Sequence, residues 1–151
     1  MSKLLKIFVF FVLAIMFYSL SHCSTIDINS LVDDFQNATD IQKTKIVSDN
    51  IGKELTAGGI VSNAGEYDFF NTVDDARGTY YQVVTEQQKT GLDTPYQVIF
   101  LFKDIDKVSG INKGQAFQGS GKIVKINDER LQTTVWIFSN DLTDKDKALL
   151  R

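Results

Sequence analysis

The run Tyr96-Gln97-Val98-Ile99-Phe100-Leu101-Phe102 decides the fold. Apart from Gln97 it is apolar at both parities, and a strand that is apolar on both faces must be covered on both sides. Downstream, Lys103 to Lys113 reads as a short helical turn or loop whose Ile105, Val108 and Ile111 plug one end of the β-structure. Asn112-Lys113-Gly114-Gln115 then leads tightly into a strand over residues 116–126. There Phe117, Gly119, Gly121 and Ile123 share one face before Val124 and Ile126 take over the apolar role. That change of parity predicts a bulge near Lys122 to Val124, and two glycines two apart let the strand coil sharply, as closing a small barrel requires. Asn127 to Arg130 is a turn. In the last strand Leu131, Thr133, Val135 and Ile137 face one way, and Gln132, Thr134, Trp136 and Phe138 the other. Trp136 is expected against the N-terminal helices.

Upstream, Lys89 to Pro95 is a hairpin-like connection that carries Gly91 and the only proline, and Thr79 to Glu86 is a strand rich in β-branched and aromatic residues. Residues 63–78 are a loop by composition, although they hold Tyr67, Phe69 and Phe70. Leu55 to Val61 reads as a strand broken by a bulge at Gly58-Gly59, since glycine inside a strand marks a bend or a close backbone approach. Residues 26–51 read as helical. Ile28, Leu31, Val32 and Phe35 form a first stripe behind an Asp27 or Asn29 cap, and Ile41, Ile46, Val47 and Ile51 a second behind Thr39 or Asp40. Gly52 marks the end. One kinked helix or two separate ones both satisfy this pattern.

At the N-terminus Lys3 and Lys6 precede an apolar run from Ile7 to Phe17, followed by Tyr18-Ser19-Leu20-Ser21-His22-Cys23. This order is that of a secretory signal peptide, and the run falls short of the about 20 apolar residues of a comfortable membrane span, so cleavage is expected, with an uncleaved N-terminal membrane anchor as the alternative. Leu20-Ser21-His22-Cys23 also resembles the lipobox of bacterial lipoproteins, which would make Cys23 a lipidation site, except that His22 stands where Gly, Ala or Ser is wanted. The division that follows is a signal segment over residues 1–23, a helical segment over 24–52, a β-barrel over 53–139 and a tail over 140–151. The exported product would be periplasmic, envelope-anchored or secreted.

Removing Lys3 and Lys6 from 16 basic residues leaves 14 against 19 acidic ones, a net charge of −5. Nucleic-acid binding rests on a basic footprint, so this balance argues against nucleic acid as a partner. Cleavage after Cys23 also removes the only Cys and the only His. No disulfide is then available, and stability must come from the core.

These strands predict a mainly β (α+β) fold, a five-stranded barrel preceded by N-terminal helices. Two sets of residues carry a family resemblance. One is Asp40-Ile41-Gln42-Lys43 leading through Gly52-Lys53 into Gly59-Ile60-Val61; the other is Asn112-Lys113-Gly114-Gln115 followed by Gly119-Ser120-Gly121-Lys122-Ile123. On them the chain resembles the OB-fold, tRNA-anticodon-binding-like domains of small exported bacterial proteins. The resemblance covers most of residues 39–138 and implies the fold; its name implies nucleic acid, against the charge balance.

Nucleophilic triads need an imidazole base and zinc sites use Cys or His, so neither chemistry is expected, and no cofactor or metal. The acidic groups Asp104 and Asp106, Asp74 and Asp75, and Asp141, Asp144 and Asp146 do not follow the EF-hand spacing. Paired carboxylates run hydrolysis without either, which leaves Glu54, Glu66, Asp68 and Glu86 as acid/base candidates. OB-fold ligands lie across strands 2 and 3 between the loops after strands 1 and 4. On this chain that frame is Tyr67, Phe69, Phe70 and Arg77 in the first loop, Tyr80 on strand 2 and Asp128 to Arg130 in the second loop, with Arg130 as its ligand-binding residue. The same rings would equally serve to cap the barrel. The leading expectation is an exported, non-enzymatic OB-fold module that binds a protein or cell-envelope ligand. The alternatives are a small carboxylate-dependent hydrolase and a single-stranded nucleic-acid binding protein.

Overall fold

The structure, a computed structural model, describes residues 26–67, 80–129, 132–139 and 143. Two helices precede six strands. Helix α1 (Ile28–Gln36) begins at Asp27, whose carboxylate accepts from the backbone N–H groups of Asn29 and Ser30, the usual way an N-cap satisfies orphan donors. Helix α2 (Asp40–Asn50) starts behind Thr39, whose backbone N–H donates to Gln42 Oε1 at 2.9 Å. Gly52 follows at φ +83°, a left-handed conformation that suits glycine at a helix end. There are therefore two helices, separated by Asn37 to Thr39.

The strands are β1 (Glu54–Glu66), β2 (Tyr81–Thr85), β3 (Gln88–Lys89), β4 (Pro95–Phe102), β5 (Ala116–Glu129) and β6 (Gln132–Phe138). A single turn of 3-10 helix (Ile105–Lys107) joins β4 to β5. The sheet order is β2-β1-β5-β6-β4-β3, and β2 also pairs with β4, so the pairings of β1, β2, β4, β6 and β5 return to their start. All are antiparallel except β4 with β6, which run parallel from Tyr96↔Thr133 to Leu101↔Phe138. The two-residue β3 makes a sixth strand beside the five expected, forming the hairpin with β4 that Gly91 and Pro95 announce.

The apolar run of β4 is covered on both faces. Tyr96, Val98, Phe100 and Phe102 lie in one core with Leu55, Val61, Val83, Ile123, Val135 and Ile137. Ile99 and Leu101 lie in a second with Tyr67, Tyr80, Trp136 and Phe138. Leu31, Val32 and Phe35 of α1 close on the first core, and Val108 and Ile111 pack against it from the β4–β5 connection. The bulge on β5 falls where expected, between Ile123 and Lys125.

Other expectations are corrected. Trp136 is on the second core and not against the helices, because the parity that puts Val135 and Ile137 beneath α1 turns Trp136 to the opposite face. Ile105 and Ile51 are exposed, and Ile41 is 86% exposed, so the apolar stripe of α2 reduces to Ile46 and Val47. β1 continues to Glu66 through residues read as loop, since β2 pairs with it from Val61 to Glu66 and supplies the hydrogen bonds that Asn63 and Gly65 would otherwise seek in a turn. β1 is not bulged at Gly58-Gly59 either; its irregularity lies between Val61 and Asn63. There the Ser62 hydroxyl reaches Val84 O and Thr85 O, each at 3.1 Å. Asn127 and Asp128 belong to β5, paired with Thr134 and Thr133.

Candidate functional site

A cleft of about 680 Å³ lies where β1 changes partners. From Glu54 to Ile60 β1 pairs with β5, and from Val61 onward it pairs with β2. In an antiparallel ladder alternate residues aim their backbone groups at alternate neighbours, so the N–H and C=O groups of Glu54, Thr56 and Gly58 point away from β5. On that side, Glu86 N–H donates to Ile60 O at 2.6 Å, and the Gln88 side-chain amide donates to Gly58 O at 2.9 Å. Among the described residues no strand pairs with this edge of β1 between Glu54 and Gly59.

The walls are Thr56 to Ile60 on β1, Glu86 to Gln88 at the end of β2 and start of β3, and Ala116 to Gln118 on β5. Phe117 is held by the core below it, edge-on to Phe100 with ring centroids 5.0 Å apart. The β2 end is fixed by Thr85, whose hydroxyl accepts from Val98 N–H at 3.1 Å, while Gln97 Nε2 donates to Thr85 O at 2.8 Å. Gln88 is steadied from the other side by the Tyr96 hydroxyl, which donates to Gln88 Oε1 at 3.4 Å. Side-chain amides, a hydroxyl, two glycines that leave backbone uncovered, apolar Ile60 and Phe117, and one charged residue, Glu86, are groups for binding. Among the described residues, two groups outside these walls have displaced pKa values. Asp27 is held below the usual carboxylate range, chiefly by the Ser30 hydroxyl and Ser30 N–H, and burial, with the Asp27 charge, raises Tyr96.

A second groove of about 520 Å³ runs between the helices and the tip of the β3–β4 hairpin, with Asp33, Asp34, Asp49, Ile46 and Leu92 on its walls. Two of its carboxylates are engaged within the protein: Asp33 accepts from the Thr90 hydroxyl at 2.6 Å, and Asp49 from Lys45 Nζ at 2.6 Å.

Of the ligand-face residues expected from sequence, Tyr67 and Tyr80 are described, and both are buried, at 6% and 0% exposure. Tyr67 N–H donates to Tyr80 O at 2.9 Å, and the Tyr80 ring stands edge-on to Phe138. Their rings are thus part of the second core. Phe69, Phe70, Arg77 and Arg130 lie outside the described residues, as do Cys23 and Asp68. The described carboxylates among those weighed for hydrolysis, Glu54, Glu66 and Glu86, do not converge. Glu54 and Glu66 stand at opposite ends of the 13-residue β1, and of these three only Glu86 lines the cleft. Among the described residues no three His, Cys, Asp or Glu side chains gather as a metal site. None of the described helices is long and apolar enough to cross a membrane. Sequence reasoning missed Gln88 altogether; a glutamine two residues beyond a strand carries no pattern, and its role appears only when Gly58, 30 positions away, is brought beside it.

No family model matches the chain, and no curated protein matches it. Among solved structures it is similar to one from Klebsiella pneumoniae subsp. pneumoniae MGH 78578, named a "putative nucleic acid-binding lipoprotein", at 16% identity over 78% of this chain and 91% of that one, with a TM-score of 0.48. The name of that protein points against the expectation that nucleic acid is an unlikely partner, and that expectation is withdrawn. A whole-chain sum also does not describe local charge: Lys103 and Lys125 stand over the rings of Phe138 and Trp136 on one face of the sheet.

Proposed function

We propose that the protein is an exported, non-enzymatic binding module with an OB-fold-like barrel, which takes a protein or cell-envelope ligand at the cleft beside β1. The ring of pairings through β1, β2, β4, β6 and β5, antiparallel but for β4 with β6, supports the barrel. The observation that carries the binding role is the cleft itself: a strand edge with which no described strand pairs, beside amides and a supported aromatic ring. The segment from Met1 to Cys23 supports export, and Cys23 is the proposed lipidation site. The loop rings Phe69 and Phe70, with Arg77 and Arg130, are proposed as a further contact surface.

The test is capture from envelope extract by the protein purified from its own host, run beside the variant Ile60→Lys, with a labelled single-stranded oligonucleotide as a parallel probe. Ile60 is 40% exposed at the cleft, so the change leaves the core alone. Capture that Ile60→Lys abolishes is the expected result; equal capture by both proteins refutes the cleft as the site. Oligonucleotide binding that survives Ile60→Lys would move the functional surface elsewhere.

A further inference from the structure

We infer that the edge of β1 with which no described strand pairs accepts an extended peptide segment of a partner protein, added as a strand beside Glu54 to Gly58, with the Gln88 side chain as the group it displaces. The inference rests on the binding reading above and names the class of ligand. An unpaired strand edge presents a row of donors and acceptors whose natural complement is another extended backbone. Here the row comprises the backbone groups of Glu54, Thr56 and Gly58, and one acceptor in it, Gly58 O, is already met by an amide N–H, that of Gln88 at 2.9 Å. A side-chain amide is chemically the same donor as a peptide N–H, so the protein itself holds a stand-in for one bond of the missing strand. A Cβ at Gly59 would lie 2.5 Å from Gln88 Nε2, so glycine there is what lets this amide reach the edge. Glu86 is the one charged residue of the walls, which suits an uncharged main chain. Side chains of an added strand alternate between faces; one set would meet the exposed Thr56 and Ile60, and the other would turn toward Phe117.

The experiment uses the purified protein and two end-blocked synthetic hexapeptides of alternating valine and threonine, one with ordinary amides and one N-methylated at alternate residues. Side chains are then identical and only backbone donors differ. The ordinary peptide is expected to slow hydrogen exchange at the Thr56 and Gly58 amides at least about tenfold, as new backbone hydrogen bonds do, and the N-methylated peptide to leave them unchanged. Thr56→Pro removes one edge N–H and Ile60→Lys places a charge at the cleft, and each is expected to abolish protection. Gln88→Ala, which frees Gly58 O from its internal donor, is expected to tighten binding about threefold to tenfold. Equal protection by both peptides, or none by either, overturns the strand-addition inference. If neither peptide binds while envelope capture remains sensitive to Ile60→Lys, the binding module stands and its ligand is not an extended peptide; loss of that sensitivity as well overturns both.

Discussion

Replacing Gly121 with alanine tests how closely β5 and β6 approach. A Cβ at this position would run into the Phe138 carbonyl oxygen, its nearest neighbour, and would lie 2.7 Å from the Phe138 carbonyl carbon and 2.8 Å from Ser139 Cα, where ordinary contact begins at 3.4 Å. The obstacle is backbone, which has no rotamer to escape into, so the strands must part by at least about 0.7 Å, the difference between 3.4 and 2.7 Å. Separation falls at Lys122↔Phe138 and Ile123↔Ile137. Overpacking costs about 1–3 kcal/mol, and a weakened ladder bond adds about 1 kcal/mol. The stiffer unfolded chain returns about 0.4–1 kcal/mol. The net is a loss of roughly 1–3.6 kcal/mol, or about 2 to 14 °C in Tm for a chain of this size. Thermal denaturation followed by circular dichroism and by Trp136 fluorescence reads it. Gly110→Ala is the control, since nothing lies within 4 Å of a Cβ there, and its Tm should rise by about 1 to 4 °C from the stiffer unfolded chain alone. A Gly121→Ala Tm within about 2 °C of the parent would refute the close approach.

Phe100 is fully buried and edge-on to Phe117, so Phe100→Ala should cost about 3–5 kcal/mol in denaturant unfolding; a loss below about 1 kcal/mol would show that β4 is not central. Burial raises the Tyr96 pKa above 10.0 in the fold, so the folded state holds that proton more tightly than the unfolded chain. Stability from this source is therefore fully present below pH 10.0 and is lost as pH climbs toward the raised value. Tyr96→Phe should flatten the alkaline fall in stability measured by urea titration at stepped pH, and an unchanged slope would assign that fall to other groups. Replacing Phe69 and Phe70 together with serine should lower envelope capture while leaving Tm in place; a strongly lowered Tm would return both rings to the core. Cys23→Ser should release the protein from membranes if Cys23 carries lipid, and unchanged fractionation would remove the lipidation reading.

Periodicity was enough to determine the two-sided burial of β4, the α1 stripe of Leu31, Val32 and Phe35, and the β5 bulge near Val124, because each depends on the parity or spacing of neighbouring residues. The Asp27 cap and the Gly52 stop were legible for the same reason: they act within a few residues of themselves. The extension of β1 to Glu66 was not, since polar Asn63 and Gly65 become strand only when β2 arrives from another part of the chain to pair with them. The placement of Trp136 depended on which sheet face the helices cover, a choice that alternation alone leaves open. Tyr67 and Tyr80 carried an aromatic signal with no direction attached, and only the packing of β2, β4 and β6 turned them inward. The cleft was the least legible part of all. Gly58 and Gly59 signalled a close approach, but what approaches is the Phe117–Gln118 backbone of β5 at Gly58 and the Gln88 side chain at Gly59, and a contact such as Gln88 with Gly58, across 30 residues, is made by closing the ring of strands, not by any local pattern.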